Sequence, residues 1–392
     1  MANAYVSTDT ASLGGTAGSA GLVQKAYDRL VEFALRTQPL IRSVADKRPT
    51  NLTNPGSTVN FQIYKDLART TGTLQETVDP DAVGLSTPTN VPVTLNEYGN
   101  AVLVTRALNL FSLADVDPAV ANIIAYNMAD SIDELAQTAL DGGTNVIYGG
   151  TQTSQAAITG SDIVTAANIR KAVAKLRSAN AVARKGSMYW CGIHPEVSHD
   201  LRKETGAGAW RTPHEYATND AIWAGEIGAF EGAYFVETPR LKVTGSGATI
   251  GSAKTITAVT ISGQVATVTA TSHGFSAGDI VLLAGTSGGS ATLNALQTIT
   301  TVATDSFTFT TGVTGTITVS SGTATKKTKV YRTFIAGQQA LAEAVAEEPH
   351  VVIGPVVDKL MRHRPMGWYG VLGFSRFREE ALYRLETGSS IA

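Results

Sequence analysis

PHVVIGPVVDKLMRHRPMGWYGVLGFSRFREEALYRLETG, residues 349–388, is the stretch on which the reading of this 392-residue chain turns. Its apolar residues change period along the way. Val351, Val352 and Ile353 read as a short buried strand, and Pro365-Met366-Gly367 as a turn. The run Trp368-Tyr369-Gly370-Val371-Leu372-Gly373-Phe374 is too rich in aromatic residues, β-branched residues and glycine for a good helix. From Arg378 to Glu386 strand-like alternation returns, with Leu382 and Leu385 set among charges. Such a segment cannot bury itself alone, so it must complete a sheet or a helix–sheet layer begun much earlier. The chain is expected to close on itself here.

Length gives roughly two or three domains and room for a sizeable core. Against 31 basic residues stand 33 acidic ones, a formal charge of -2, which argues against a dedicated nucleic-acid binder. A lone cysteine, Cys191, rules out an intrachain disulfide. Met1 to Gly21 has neither a basic n-region nor an apolar core, so no secretory signal is expected. No run of about 18 apolar residues is present, so no membrane partner is expected, and the chain reads as soluble and made in the cytoplasm.

Residues 1–21 read as a flexible arm of small and polar residues. From Leu22 to Gln38 the spacing predicts a helix, with Leu22, Ala26, Leu30, Phe33 and Ala34 on one face and Pro39 as its stop. Val59 to Tyr64 alternates as a strand, and Val91 to Thr105 carries a second, longer strand pattern. Between them lie some two dozen residues rich in Thr, Gly, Asp and Pro, which suggests a long hairpin. An isolated hairpin is marginal in water, so this one should lean on something else, such as another subunit.

Asp117-Pro118 opens the strongest helix pattern, with Asp117 as N-cap and Pro118 at the first helical position. Val120, Ile124, Met128, Ile132, Leu135 and Ala139 keep a stripe up to the stop at Gly142-Gly143, a span of about 36 Å. A second helix is predicted from Thr165 to Asn180, with Ile169, Val173 and Leu176 inward and Arg170, Lys171, Lys175 and Arg177 outward. Met188 to Ile193 reads as a strand, His194-Pro195 as a helix start, and Tyr234 to Glu237 as another strand. Helices and strands alternating after a hairpin give an α+β class.

At Thr244 the composition breaks. The 85 residues from Thr244 to Thr328 hold 5 charged residues, 23 threonines and no proline, whereas the rest of the chain holds 59 charges. Strands are predicted at Thr255–Ile261, Val265–Thr271, Ile280–Ala284, Gln297–Val302, Phe307–Thr310 and Thr316–Ser320, with turn residues between them. The reading is a small all-β domain inserted into a host that resumes at Lys329, placed on an outer surface because insertions are tolerated at exposed loop tips.

Catalytic signals are poor: no P-loop, nucleophile elbow, HExxH or paired CxxC occurs. Cys191, His194 and His199 lie close enough to suggest a metal or nucleophile cluster, but the spacing matches no recognised ligand set or triad. Packing of Cys191 in a strand is the better reading. Glu226 and Glu231 could form an acid–base pair, though a structural salt bridge to Arg211 or Arg240 is preferred. Arg362-His363-Arg364 with Trp368 and Tyr369 could grip phosphates and stack on bases; a solvated turn followed by a core strand is preferred.

The order of parts (arm, hairpin, long helix, α+β body, closing strands) resembles the tailed-bacteriophage major capsid fold named after phage Hong Kong 97. In detail it is similar to the phage N-four-type major capsid family. The residues carrying that likeness are Ile193-His194-Pro195-Glu196 through Arg202, the block Gly225-Glu226-Ile227-Gly228 to Thr238, and the close from Gly367-Trp368-Tyr369 to Glu386. It covers residues 22–243 and 329–388. Within the Thr-rich segment, Ser272-His273-Gly274-Phe275, Gly278-Asp279-Ile280-Val281 and Leu293-Asn294-Ala295 resemble a small β-barrel module that recurs in phage structural proteins and ubiquitin-activating enzymes.

The resemblance implies a non-enzymatic, cofactor-free shell subunit, assembled in the bacterial cytoplasm and resident in the virion. By the same resemblance, residues 1–49 are an N-terminal arm and helix, and 50–107 an extended loop. Residues 108–160 with 345–392 form a peripheral domain, 161–243 with 329–344 an axial domain, and 244–328 the insert. Candidate interface residues are Phe61, Tyr64, Lys65, Arg69, Glu97 and Arg106 in or beside the loop. Further along come Glu226, Glu231, Arg362, Arg364 and Trp368. Implied partners are further copies in pentamers and hexamers, scaffolding, portal or decoration proteins, and packaged DNA touched without sequence readout. Lys65 is the only lysine of the loop and nothing identifies an asparagine partner, so no covalent cross-link is expected. Two readings of other classes stay open: an exported surface-layer or adhesin-type protein, and an enzyme using Cys191 or Glu226.

Overall fold

The computed structural model describes residues 39–49, 57–74, 76–77, 79, 82–111, 116–204, 226–285, 293–312, 322–355, 360 and 362–391. The predicted helix at 22–38 and the predicted strand at 316–320 lie outside them. A 3-10 turn at Ile41–Val44 leads into β1 (Ala45–Pro49). β2 (Thr58–Ile63) and β3 (Thr89–Thr94) form an antiparallel two-stranded ladder, and β4 (Asn96–Thr105) follows. Next come α1 (Arg106–Phe111), α2 (Val116–Asp141), β5 (Val146–Tyr148), α3 (Ala166–Ser178), β6 (Tyr189–Ile193) and α4 (Pro195–Lys203). β7 (Glu226–Phe230) and β8 (Ala233–Glu237) make a hairpin whose turn residues, Glu231 and Gly232, both have positive φ, 50° and 83°.

The Thr-rich segment follows β9 (Val243–Thr244). It holds β10 (Thr249–Thr255), β11 (Ala258–Ser262), β12 (Val265–Thr269), β13 (Ile280–Ala284), β14 (Leu296–Thr298), β15 (Thr301–Ala303), β16 (Ser306–Thr310) and β17 (Thr323–Lys327). β18 (Val330–Ala336), β19 (Leu341–Ile353), β20 (His363–Arg376) and β21 (Leu382–Thr387) complete the order.

The chain divides into two compact units. The described residues of one fall in Gly99–Met128 and Pro349–Tyr369; the other comprises Thr37–Tyr98, Ala129–Glu348 and Gly370–Ala392. β4, α2, β19 and β20 have residues in both. The second unit contains a sheet of order β5-β21-β18-β6-β8-β7, with β9 paired to β18. One face of it carries α3 and α4: Ile169, Val173 and Leu176 pack on Cys191, Phe235, Ile335 and Leu385. The other face carries Trp190 and Phe334, packed with Leu140 of α2, Ile41 and Leu341. Covering both faces leaves β6 without polar alternation, and all five of its residues are buried.

The Thr-rich segment builds two sheets wholly from its own strands, β10-β17-β13-β14 and β11-β12-β16-β15. A core of its own lies between Ile256 and Ala324, with Val259, Val268, Val281, Phe307 and Phe309 at its centre. Low charge and β-branched threonine suit strands with one face buried, such as β11 and β12.

Several expectations are corrected. Val351, Val352 and Ile353 are the exposed end of the 13-residue β19, 38–52% accessible, not a buried strand. Pro365-Met366-Gly367 lies within β20, not in a turn; Gly367 is needed because an added Cβ would come 2.5 Å from the Asn100 carbonyl. The strand expected over 91–105 is broken at buried Leu95, where the chain passes from the β2 ladder to the sheet β1-β19-β20-β4. α2 begins at Val116, so Asp117 and Pro118 sit in its first turn and Asp117 is not the N-cap. Its most buried apolar residues in the second unit, Ile132, Ala136 and Leu140, run at i+4 spacing, while Leu135 and Ala139 are only half-buried. The predicted strands at 255–261 and 297–302 are each split in two, and β17 is an addition.

Candidate functional site

From Tyr64 to Pro88 the chain carries no strand or helix among its described residues. Apolar side chains stand in solvent along this span: Tyr64 is 69% exposed, Leu67 55%, Leu74 77%, Val83 75% and Leu85 79%. Side chains this exposed are not part of a core. Sequence reading missed them because isolated apolar residues among Thr, Gly and Asp match no helix or strand period.

The root of this loop is held firmly. Phe61 meets Phe377 edge-on, centroids 6.2 Å apart, and Val93, Leu95 and Ala344 form a small core beneath β2 and β3. A groove of about 750 Å³ lies beside the root, bounded by Tyr64 and Lys65 on the loop and by Val182, Gln338 and Arg378 on the body.

The remaining interface candidates scatter. Lys65, Arg69 and Glu97 are exposed. In the first unit Arg106 is exposed at the start of α1, where its backbone N–H donates to the Arg362 carbonyl at 2.8 Å, and Arg362 and Arg364 are exposed too. Trp368 is not on the surface: it is 5% exposed and its indole N–H donates to Asn127 Oδ1 at 2.9 Å, which also removes it from any base-stacking role. Glu231 pairs with Arg170 at 3.0 Å, and not with the expected Arg240. Arg240 is engaged by Asp130 and Asp133, and the side chain of Glu226, like Arg211, lies outside the described residues.

Among the described residues, Cys191, His194 and His199 form no catalytic constellation. Burial pushes the Cys191 thiol up, away from reactivity. His194 caps α4, its Nδ1 accepting from the Glu196 N–H at 3.3 Å, and burial holds it below the usual histidine range despite Glu196 and Glu237. Among the described residues no group of three or more His, Cys, Asp or Glu side chains could hold a metal ion. None of their helices is long and apolar enough to cross a membrane.

Ion networks fix the scaffold instead. Arg42 donates its backbone N–H to Asp133 Oδ1 at 2.8 Å, and its guanidinium reaches the fully buried Glu343 at 2.5 Å. Burial alone would raise the Glu379 carboxyl, but the Thr144 N–H and hydroxyl and Arg376 Nε at 2.9 Å hold it below the usual range. A lowered folded pKa means stability that is present above the ordinary value of about 4.3 and is lost as pH falls through the folded one. Glu379→Gln is therefore expected to lower the melting temperature at pH 7, and the difference from wild type should shrink as melts are repeated into acid.

The fold and its ion-paired scaffold are those of a structural protein. It belongs to the phage capsid protein family, whose model matches residues 37–383; the family is structural, not enzymatic, and its members reside in the virion. No curated protein matches the chain. The capsid structure of cyanophage P-SCSP1u is similar over 98% of this chain and 100% of that one, with 13% identity and a TM-score of 0.58. The capsid of Ralstonia phage GP4 covers 93% of this chain and 95% of its own, with 14% identity and a TM-score of 0.56. The capsid asymmetric unit of cyanophage Pam1 covers 94% and 97%, with 12% identity and a TM-score of 0.56. The fold is the Hong Kong 97-like one in α+β form, and the chain is a major capsid protein of the tailed-phage type.

Proposed function

We propose that copies of this chain assemble around local five- and six-fold axes into a closed icosahedral shell enclosing double-stranded DNA. Loop 50–107 lies across the next subunit. The observation that supports this reading is the row of exposed apolar side chains from Tyr64 to Leu85, which a neighbouring copy would cover. Residues 1–49 serve as the arm, 108–160 with 345–392 as the peripheral domain, and 161–243 with 329–344 as the axial domain. Of the exposed candidates, Tyr64, Lys65, Arg69, Glu97 and Arg106 meet the neighbouring copy, while Arg362 and Arg364 serve contacts of the peripheral domain. Scaffolding, portal or decoration proteins join the assembly, and DNA meets it without sequence readout. Negative-stain electron microscopy of the purified chain, alone and then with the neighbouring structural proteins of its source, tests the proposal. Closed shells or rings of five and six support it; a stable monomer in both preparations sinks it.

Residues 244–328 act as an inserted module on the outer surface, a reading supported by a core and two sheets drawn only from that segment. Removing Thr244–Thr328 and joining Val243 to Lys329 is expected to leave particles of unchanged diameter. Insoluble product would place the segment in the body's own core.

A further inference from the structure

Where the Thr-rich segment leaves the body, its two stems run side by side. β9 pairs with β18, Thr244 opposite Val330 and Val243 opposite Tyr331. Further out, the Gly247 N–H donates to the Thr328 carbonyl at 3.2 Å and the Thr328 N–H to the Ala248 carbonyl at 2.9 Å. The Ala248 N–H is tied to the body through the Ile158 carbonyl at 2.8 Å. Gly247 permits this approach, since an added Cβ would lie 2.8 Å from the Thr328 oxygen and 2.9 Å from that of Ile158.

One residue inward, Lys242 immediately precedes β9 and Arg332 immediately follows Tyr331 in β18, so the stems bring two cations together. Like charges held close repel and push their chains apart. Both reach a single oxygen of Asp141, the last residue of α2: Arg332 Nη1 at 3.0 Å and Lys242 Nζ at 3.6 Å. Glu386, 2% exposed, takes Arg332 at 3.4 Å and Arg384 at 2.9 Å, and Arg384 also donates to the Asp141 carbonyl. Three cations thus share two carboxylates; without Asp141, Arg332 and Arg384 would keep Glu386 and Lys242 would lose the carboxylate it reaches.

We infer that Asp141 is an electrostatic lock on the neck of the Thr-rich segment. By neutralising Lys242 and Arg332 together it closes the two stems and fixes the segment to the end of α2; without it the neck opens and the segment swings. The lock rests on reading residues 244–328 as a module, but its test separates the two.

Hydrogen exchange on the full chain reads the neck amides of Gly247, Ala248 and Thr328. In Asp141→Asn their exchange should rise by about tenfold or more, while the amides of Val259, Val268 and Phe307 in the segment's core keep their protection. Asp141→Asn with Lys242→Gln removes the repulsion as well as the lock, and should return the neck to within about threefold of wild type. Neck exchange unchanged in the single variant, or equally fast in both, overturns the inference. An insoluble single variant beside a soluble double one supports it; two insoluble variants overturn it. Failure of the module reading looks different: core amides of the segment would then exchange together with those of β6 and β18, whatever the neck does.

Discussion

Leu74→Asp combined with Leu85→Asp is expected to give a soluble, folded chain that forms no particles. Both side chains are more than three-quarters exposed in the single chain, at 77% and 79%, so replacing them removes little intramolecular packing. Surface changes of that kind alter stability by within about 0.5 kcal/mol. Against a neighbour the balance reverses. Each buried leucine contributes about 1.5–3 kcal/mol, and a carboxylate left in an apolar contact adds a desolvation cost. The loss recurs at every subunit of a shell. Sedimentation should show the double variant at the monomer position with a melting temperature matching wild type. Normal particles from this variant would mean that the loop covers nothing.

Arg42→Met should destabilise the chain by about 3–5 kcal/mol, because it strands a buried carboxylate. Glu343 is fully buried, and one of its oxygens takes both Arg42 Nε at 3.0 Å and Nη2 at 2.5 Å. Arg42 also sits one turn before β1, whose parallel pairing with Leu341–Val345 depends on where that turn is held. Urea unfolding measures the loss. Adding Glu343→Gln removes the stranded charge and should recover about half of it or more. An equal loss in both variants would show that packing of the Arg42 stem, not its charge, holds the segment.

Much of this architecture is legible from local chemistry. α3 falls within the predicted 165–180 with Ile169, Val173 and Leu176 inward, and His194-Pro195 does start α4. The Thr-rich segment betrays itself by losing its charges, which needs no knowledge of packing. What escapes local reading depends on distant partners. Pro365-Met366-Gly367 has the chemistry of a turn, yet β19 and β4 on either side hold it in a strand. Val351 to Ile353 have the composition of a core strand, and only the absence of covering atoms exposes them. The contacts of Arg42 with Glu343 and of Asp141 with Arg332 join residues remote in sequence, and no spacing rule can pair them. Exposed Leu74 and Leu85 carry the assembly proposal, and they are invisible to any method that looks for period.

The strand order β5-β21-β18-β6 has a consequence for how the protein folds. Among the described strands β5 enters the sheet only through β21, a segment remote from it in sequence. Closing that edge requires a large loop to be ordered first, so this pairing is expected to form later than the local β7–β8 hairpin. Two strand pairs of one sheet thus stand at opposite ends of the entropy cost of chain closure.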